Sequence, residues 1–291
     1  MDPRLKKNKL GFYELVDKPS NQVLSNYYKN KYYQQKKGLY DYQYKDSEIN
    51  YKILRLNIQF EIISNIISKN DKKSLLDIGC GEGFTLNYFF NNGWDVSGID
   101  FSSYGAEIHN PTLVKFISVG DLYDNLEIIE NKNLCYDLIF LTNVLEHVQK
   151  PVNLMKRINK ITKKGGMLVL TVPNDASDLQ EYCLEHKMIK DRFWITPPDH
   201  LSYFDYKSIK NVAHHTGWEC SKIISEFPID LYLLNPASNY IMKKNNGKKA
   251  HFARIHSEII LSKQKITDVI EFYSSMAKVG LGRDLTAFLI K

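Results

Sequence analysis

At 291 residues, 43% of them hydrophobic and 25% charged, the chain is long enough for a full core and ordinary for a globular protein. No apolar run reaches membrane-spanning length, and the N-terminal stretch MDPRLKKNKLGFYELVDKP lacks the apolar centre and small-residue cleavage site of a secretion signal, so a cytoplasmic, unprocessed chain is expected. The net charge of +6 includes only six arginines among 39 basic residues, which disfavours a nucleic-acid reader built on arginine forks.

Residues 1–46 are rich in tyrosine (Tyr27, Tyr28, Tyr32, Tyr33, Tyr40, Tyr42, Tyr44), too aromatic for a solvated tail, and are expected to pack as a lid on residues 47–291. After a cap at Asp46-Ser47, the spacing of Ile49, Ile53, Leu56, Phe60, Ile63 and Ile67 predicts an amphipathic helix. Strand and helix patterns then alternate. SLLDIG reads as a strand, FTLNYFFNNG as a helix closed by Gly93, WDVSGID and LVKFISV as strands, and YDLIFLTNV as a fourth strand. PVNLMKRINKI reads as a helix opened by Pro151 and stopped by Gly165-Gly166, and GGMLVLTVPN as a fifth strand. This rhythm predicts an α/β fold with a doubly wound, mostly parallel sheet, whose strand ends share one ligand-binding edge. The rhythm breaks at an insertion over 175–204, resumes with a helix capped near Asp205 and a strand near 218–225, and breaks again over 228–280. RDLTAFLI is the last strand.

The four cysteines (Cys80, Cys135, Cys183, Cys220) form no CxxC, and the eight histidines show no metal spacing, so neither a disulfide framework nor a metal site is expected. Charge is uneven. Residues 1–50 carry ten Lys/Arg against six Asp/Glu, and residues 240–291 carry ten against four, which leaves the middle at −4. Basic flanks suit an anionic small-molecule partner.

The decisive stretch is LLDIGCGEGF. Its glycines alternate (Gly79, Gly81, Gly83), and Phe84 stands where the dinucleotide fingerprint requires its third glycine. That disfavours an NAD-dependent oxidoreductase. Glycines nonetheless let the backbone approach a ligand, and Asp100, about twenty residues on, is placed for ribose hydroxyls. Asp121 follows the third strand in GDLYD.

Taken in order, LLDIGCGEG, VSGIDFS, GDLYD, YDLIFLTNVLEHV and GGMLVLTVPN resemble the motifs of class I S-adenosylmethionine-dependent methyltransferases, over residues 47–226. The resemblance implies a Rossmann-like sheet of seven strands with the last antiparallel. It puts Asp77, Gly79, Cys80, Gly81 and Gly83 around the methionine part of S-adenosylmethionine or its product S-adenosylhomocysteine. It also puts Asp100 and Phe101 at the ribose, Asp121 and Leu122 at the adenine, and Asn143 and Val144 on the sulfonium side. LEHV and PPDHLSYFDYKSI narrow it to a group holding ubiquinone-biosynthesis O-methyltransferases and sugar methyltransferases of bacterial capsule and surface-polysaccharide pathways, and the later FPIDLYLLNPASNY and GLGRDLTAFLIK incline toward the second.

Methylation of a hydroxyl calls for a base, with histidine the usual choice near neutral pH. His200, stiffened by two prolines, is a candidate base or substrate contact, weighed against a loop-anchoring hydrogen bond; His147 is a second candidate, for which packing or capping is the favoured reading. Lys243, Lys244, Lys248 and Lys249 either meet a diphosphate or form a solvated loop. The expected activity is therefore O-methylation of a sugar or nucleotide-linked sugar. A quinone precursor or other small molecule as acceptor, or a non-catalytic scaffold that binds the cofactor, are the alternatives.

Overall fold

The computed structural model of the protein describes residues 2–20, 23–24, 27, 43–67 and 73–291. Tyr28, Tyr32, Tyr33, Tyr40 and Tyr42, five of the seven tyrosines of the expected lid, lie outside the described residues. No helix among the described residues is long and apolar enough to cross a membrane.

The chain opens with a hairpin, β1 (Leu5–Lys7) and β2 (Tyr13–Leu15). Helix α1 (Asp46–Ser64) follows, then β3 (Ser74–Ile78), α2 (Phe84–Asn91), β4 (Asp95–Asp100), α3 (Tyr104–His109), β5 (Ile117–Val119), α4 (Leu122–Asn131) and β6 (Tyr136–Thr142). The remainder is α5 (Pro151–Lys160), β7 (Thr162–Pro173), α6 (Asp178–Glu185), β8 (Ser202–Tyr203), α7 (Tyr206–His215), β9 (Glu219–Ser225), α8 (Gly247–Leu261), α9 (Ile266–Lys278) and β10 (Asp284–Ile290). The main sheet runs β5-β4-β3-β6-β7-β10-β9, and β10 is antiparallel to both of its neighbours. The doubly wound, mostly parallel sheet with its antiparallel last strand is thus as expected.

Period-two alternation sorts the central strands between two cores. Leu138 and Phe140 of β6 and Met167 and Val169 of β7 join α1, α2 and α9 on one face. Ile139, Leu141, Leu168 and Leu170 join α4, α5 and α7 on the other. Both faces are covered, so these strands read as continuous apolar runs.

Several local expectations change. LVKFISV is mostly a 3₁₀ turn (Pro111–Phe116), because Pro111 presets φ for a helical start, and only three residues remain for β5. Helix α5 ends at Lys160, before the glycines, and β7 starts at Thr162 with a register shift against β6. The 175–204 insertion contains α6, opened by a Ser177–Gln180 capping box, and β8. On α1 the buried face turns toward Ile58 and Ile62, and Ile53 is exposed. Within the described part of residues 1–46, β2 pairs with β8, and Phe12 enters the main core against Phe204.

Phe140, fully buried with its ring 5.3 Å from Phe89, is expected to be costly to truncate. Phe140→Ala should lower unfolding free energy in urea by about 3–5 kcal/mol, whereas Ile53→Ala should stay within about 0.5 kcal/mol apart from its small propensity change.

Candidate active site

Strand β3 delivers the chain to the C-terminal edge of the sheet, and Gly79, Gly81 and Gly83 all turn with positive φ. At Gly79 side-chain space is also excluded, because a Cβ there would lie 2.5 Å from Val144 Cγ2 in the loop after β6. The loop is tied to β4. Gly79 and Cys80 amides donate to the Ile99 carbonyl at 2.8 and 3.2 Å, and the Gly81 amide donates to Asp100 Oδ2 at 2.8 Å. Asp100 Oδ1 accepts from the Ser102 amide at 3.1 Å. Burial pushes Asp100 upward, and the three amides of Gly81, Ser102 and Phe101 work against it without cancelling it.

Glu82, at the loop tip, is gathered from three directions. Tyr44 donates to it at 2.6 Å, Lys52 at 3.1 Å, and His109 lies 3.6 Å away. Tyr44 of the N-terminal segment therefore sits over the glycine loop, its ring beside those of Phe84 and His109.

A cavity of about 960 Å³ opens along this edge. Gly79, Gly81, Asp100, Phe101, Asp121, Leu122, Asn143, Val144 and His147 line it. Asp121 also caps α4, accepting from the Tyr123 amide at 2.7 Å, and Asn143 turns the chain after β6 with φ +53°. Asp77, Cys80, Gly83 and His200 do not line the cavity. Cys80 points into the core, where its Sγ would lie 2.9 Å from a Cβ at Gly98, and burial pushes its thiol up. Gly83 is the left-handed N-cap of α2. Both shape the loop rather than face the cavity. Asp77 lies beneath the loop, its carboxyl pushed up to about 7 by burial and then by the charge of Asp100.

Part of the lining was not foreseen. Lys18, Pro19, Ser20 and Leu24 reach the cavity from the N-terminal segment, and Gln149, Lys150 and Asn153 from the start of α5. Lys18 donates to the Gln149 carbonyl at 3.0 Å and pairs with Glu14 at 2.6 Å. A second recess of about 340 Å³ shares Lys18, Gln149, Lys150 and Asn153 and adds Lys156. Lys243, Lys244, Lys248 and Lys249 are exposed at the start of α8 and line neither space. No local pattern marks Lys18 or Lys150, since single lysines in polar loops look alike in sequence.

The two candidate histidines meet. His147 and His200 rings pack edge to face with centroids 5.0 Å apart, but only His147 reaches the cavity. His147 Nδ1 donates to the Asp199 carbonyl at 2.7 Å, and its Nε2 lies 3.6 Å from Glu146 Oε1. His200 Nδ1 donates to Asp175 Oδ2 at 3.3 Å, and Arg283 donates to the other oxygen of Asp175 at 2.7 Å. Burial works to lower His200, but hydrogen bonding to Asp175 and the nearby carboxylates leave it raised. Burial likewise works to raise Asp175, and His200 and Arg283 together hold it below its usual range. Glu146 is fully buried with both carboxylate oxygens unpartnered, and burial pushes it up to about 8. Glu146, His147 and His200 each offer a ligand atom within 4.8 Å of one another, and so could hold a cation. Linear spacing hides this, because His200 arrives from a separate loop.

A parallel sheet with one antiparallel strand, a glycine turn after the first central strand, and acids at the ends of the next two define a class I S-adenosylmethionine-dependent methyltransferase fold. The chain belongs to the methyltransferase domain family, whose model matches residues 52–223. It is similar to the ubiquinone biosynthesis O-methyltransferase of Rickettsia conorii (28% identical over 122 residues, 42% of this chain and 41% of that one). It is also similar to the protein of that name from Nitrosomonas europaea (26% over 126 residues, 42% and 51%). The chain thus spans about half the length of the curated relatives it matches. A SAM-dependent methyltransferase from Archaeoglobus fulgidus shares the fold (TM-score 0.50, 17% identity, 92% of this chain and 99% of that one).

Gly79→Ala combines left-handed strain with a clash and should lower stability by roughly 1–3 kcal/mol in denaturant titration. Gly93→Ala shares the positive φ but meets nothing within 4 Å, and should cost only the backbone strain, roughly 1 kcal/mol.

Proposed function

We propose that this chain transfers the methyl group of S-adenosylmethionine to an oxygen of a small anionic acceptor. The observation that carries this reading is one cavity whose lining brings together the glycine loop, Asp100 and Asp121 with His147, Lys18 and Lys150. In this reading Asp100 takes the ribose hydroxyls through its remaining lone pairs, and Asp121 and Leu122 flank the adenine. The Gly79 and Gly81 backbone borders the methionine part, and Asp77 answers its ammonium from beneath. When bound, the cofactor supplies an electrophilic methyl, and transfer is an in-line displacement that depends on alignment. His147, oriented by its bond to the Asp199 carbonyl, presents Nε2 to accept the acceptor's proton. The sequence expectation ranked His200 first, and its place behind His147 makes it a supporting group.

For the acceptor we propose a sugar or nucleotide-linked sugar of the kind used in capsule and surface-polysaccharide assembly, handled in the cytoplasm. Support comes from Lys18, Lys150 and Lys156 around the shared recess, which favour a phosphate or diphosphate. The second reading, a quinone precursor, is favoured by the names of the two relatives.

Calorimetric titration should show micromolar binding of S-adenosylhomocysteine and none of NAD; the reverse result would sink the proposal. Asp100→Ala should abolish that binding. Asp77 sits near 7 in the folded chain against about 3.9 unfolded, so its contribution to stability is full below the unfolded value and is lost as pH rises through about 7. A ligand ammonium would reverse that shift. Affinity should therefore rise from pH 5 to about 7 and then level, with proton release that disappears in Asp77→Asn, as read by calorimetry in buffers of different ionisation enthalpy. His147→Ala should cut turnover by about 100-fold or more while leaving product affinity within a few fold.

A further inference from the structure

We infer that Glu146, His147 and His200 form a binding site for one divalent first-row cation, open toward the acceptor half of the cavity. Three observations converge on it. The first is the grouping itself, since the three ligand atoms lie within 4.8 Å of one another, with Glu146 Oε1 and His147 Nε2 at 3.6 Å. Ligands on one zinc-sized ion sit about 3.4 Å apart in a tetrahedral arrangement, so one pair is already near that spacing and the others need close by no more than about 1.4 Å.

The second is Glu146. It is 1% exposed, and neither of its oxygens has a hydrogen-bond partner. A buried carboxylate in that position is costly unless something pairs with it. Asp175 and Asp100, two other buried acids near this edge, are by contrast met by Arg283 and by the Gly81 amide. The third is the support behind the histidines. Each Nδ1 is already committed, that of His147 to the Asp199 carbonyl and that of His200 to the Asp175 carboxylate. This leaves Nε2 as the ligating nitrogen on both. Carbonyl and carboxylate partners on the far nitrogen are what fix the tautomer and orientation of metal-bound imidazoles. Arg283, locking Asp175 from the other side, completes that support.

Two imidazoles and one carboxylate suit Zn²⁺, Fe²⁺ or Mn²⁺ better than the all-oxygen preference of Ca²⁺ or Mg²⁺. Three protein ligands leave coordination positions open, and His147 borders the cavity, so those positions face an acceptor oxygen. The use of the ion rests on the methyltransferase reading above, and when the ion is bound it takes the place of the His147 base in that reading. With the ion bound, both imidazoles are ligands, and the ion lowers the pKa of the acceptor hydroxyl. The O–H bond breaks with its proton passing to water, the oxygen–methyl bond forms, and the methyl–sulfur bond breaks with its electron pair going to sulfur. The acceptor class is then a hydroxyl compound, with adjacent hydroxyls favoured because two oxygens can share one ion.

The test uses the untagged chain, stripped with a chelator and dialysed, then titrated by calorimetry with Zn²⁺ and Mn²⁺, with elemental analysis of the reloaded protein. About one equivalent should bind, and Glu146→Gln and His200→Gln should each weaken binding by at least about tenfold, with Asp175→Asn weakening it by a factor of about ten to 100. Titration of the same metal-free variants with S-adenosylhomocysteine reports whether they fold and whether the methyltransferase reading stands by itself. No stoichiometric uptake by the unmodified chain overturns the site, as does uptake that is insensitive to Glu146→Gln. Loss of S-adenosylhomocysteine binding by the unmodified chain overturns the methyltransferase reading instead.

Discussion

A carboxylate removed from water needs partners, and the ligand edge of this protein is organised by how Asp100 finds its own. One oxygen takes the Gly81 amide and the other the Ser102 amide. Those two bonds join the turn after β3 to the turn after β4. The glycine loop is thereby held open at the height of the sheet edge, with Gly79 pressed against Val144 from the neighbouring β6. Three parallel strands thus share one rigid rim, and the cavity is the space that the rim and its facing segments leave.

The facing segments depend on a different contact. The two-residue strand β8 is too short to hold its loop alone, and it is paired by β2 from near the N-terminus. Leu201 adds bonds in both directions, its amide to the Glu146 carbonyl and its carbonyl from the Leu15 amide. The hairpin therefore presses the His200 loop onto the turn after β6, and in passing brings Lys18, Ser20 and Leu24 to the cavity wall. One ladder sets both the histidine pair and the acceptor side.

Electrostatics then divides the site. Asp77 and Glu146 are carboxyls raised by burial, each without, among the described residues, an arginine such as the one that pairs with Asp175. Raised carboxyls in a cleft mark places where a cation gains most by binding. Asp77 stands near the end of β3 at the foot of the glycine loop, and Glu146 lies beside two imidazoles, so the proposals assign them different positive groups.

Much of this was legible in sequence. The strand–helix rhythm, the glycine turn, Asp100 and Asp121 are local signals, set by periodicity and by the backbone freedom that a tight turn demands. Family motifs carried Asn143 and Val144 to the right edge. LVKFISV misled because Pro111 favoured a helical turn over its β-branched residues, and the motif gave no sign that the Cys80 side chain faces the core while its glycine neighbours line the cavity. What only the tertiary structure decided is the acceptor half. His147 and His200 lie 53 positions apart, Arg283 reaches Asp175 from 108 positions away, and Lys18 meets Gln149 across 131. Such meetings are made by sheet order and by the pairing of β2 with β8. A linear pattern records which residue follows which, and carries no trace of contacts that exist only once separate strands lie side by side.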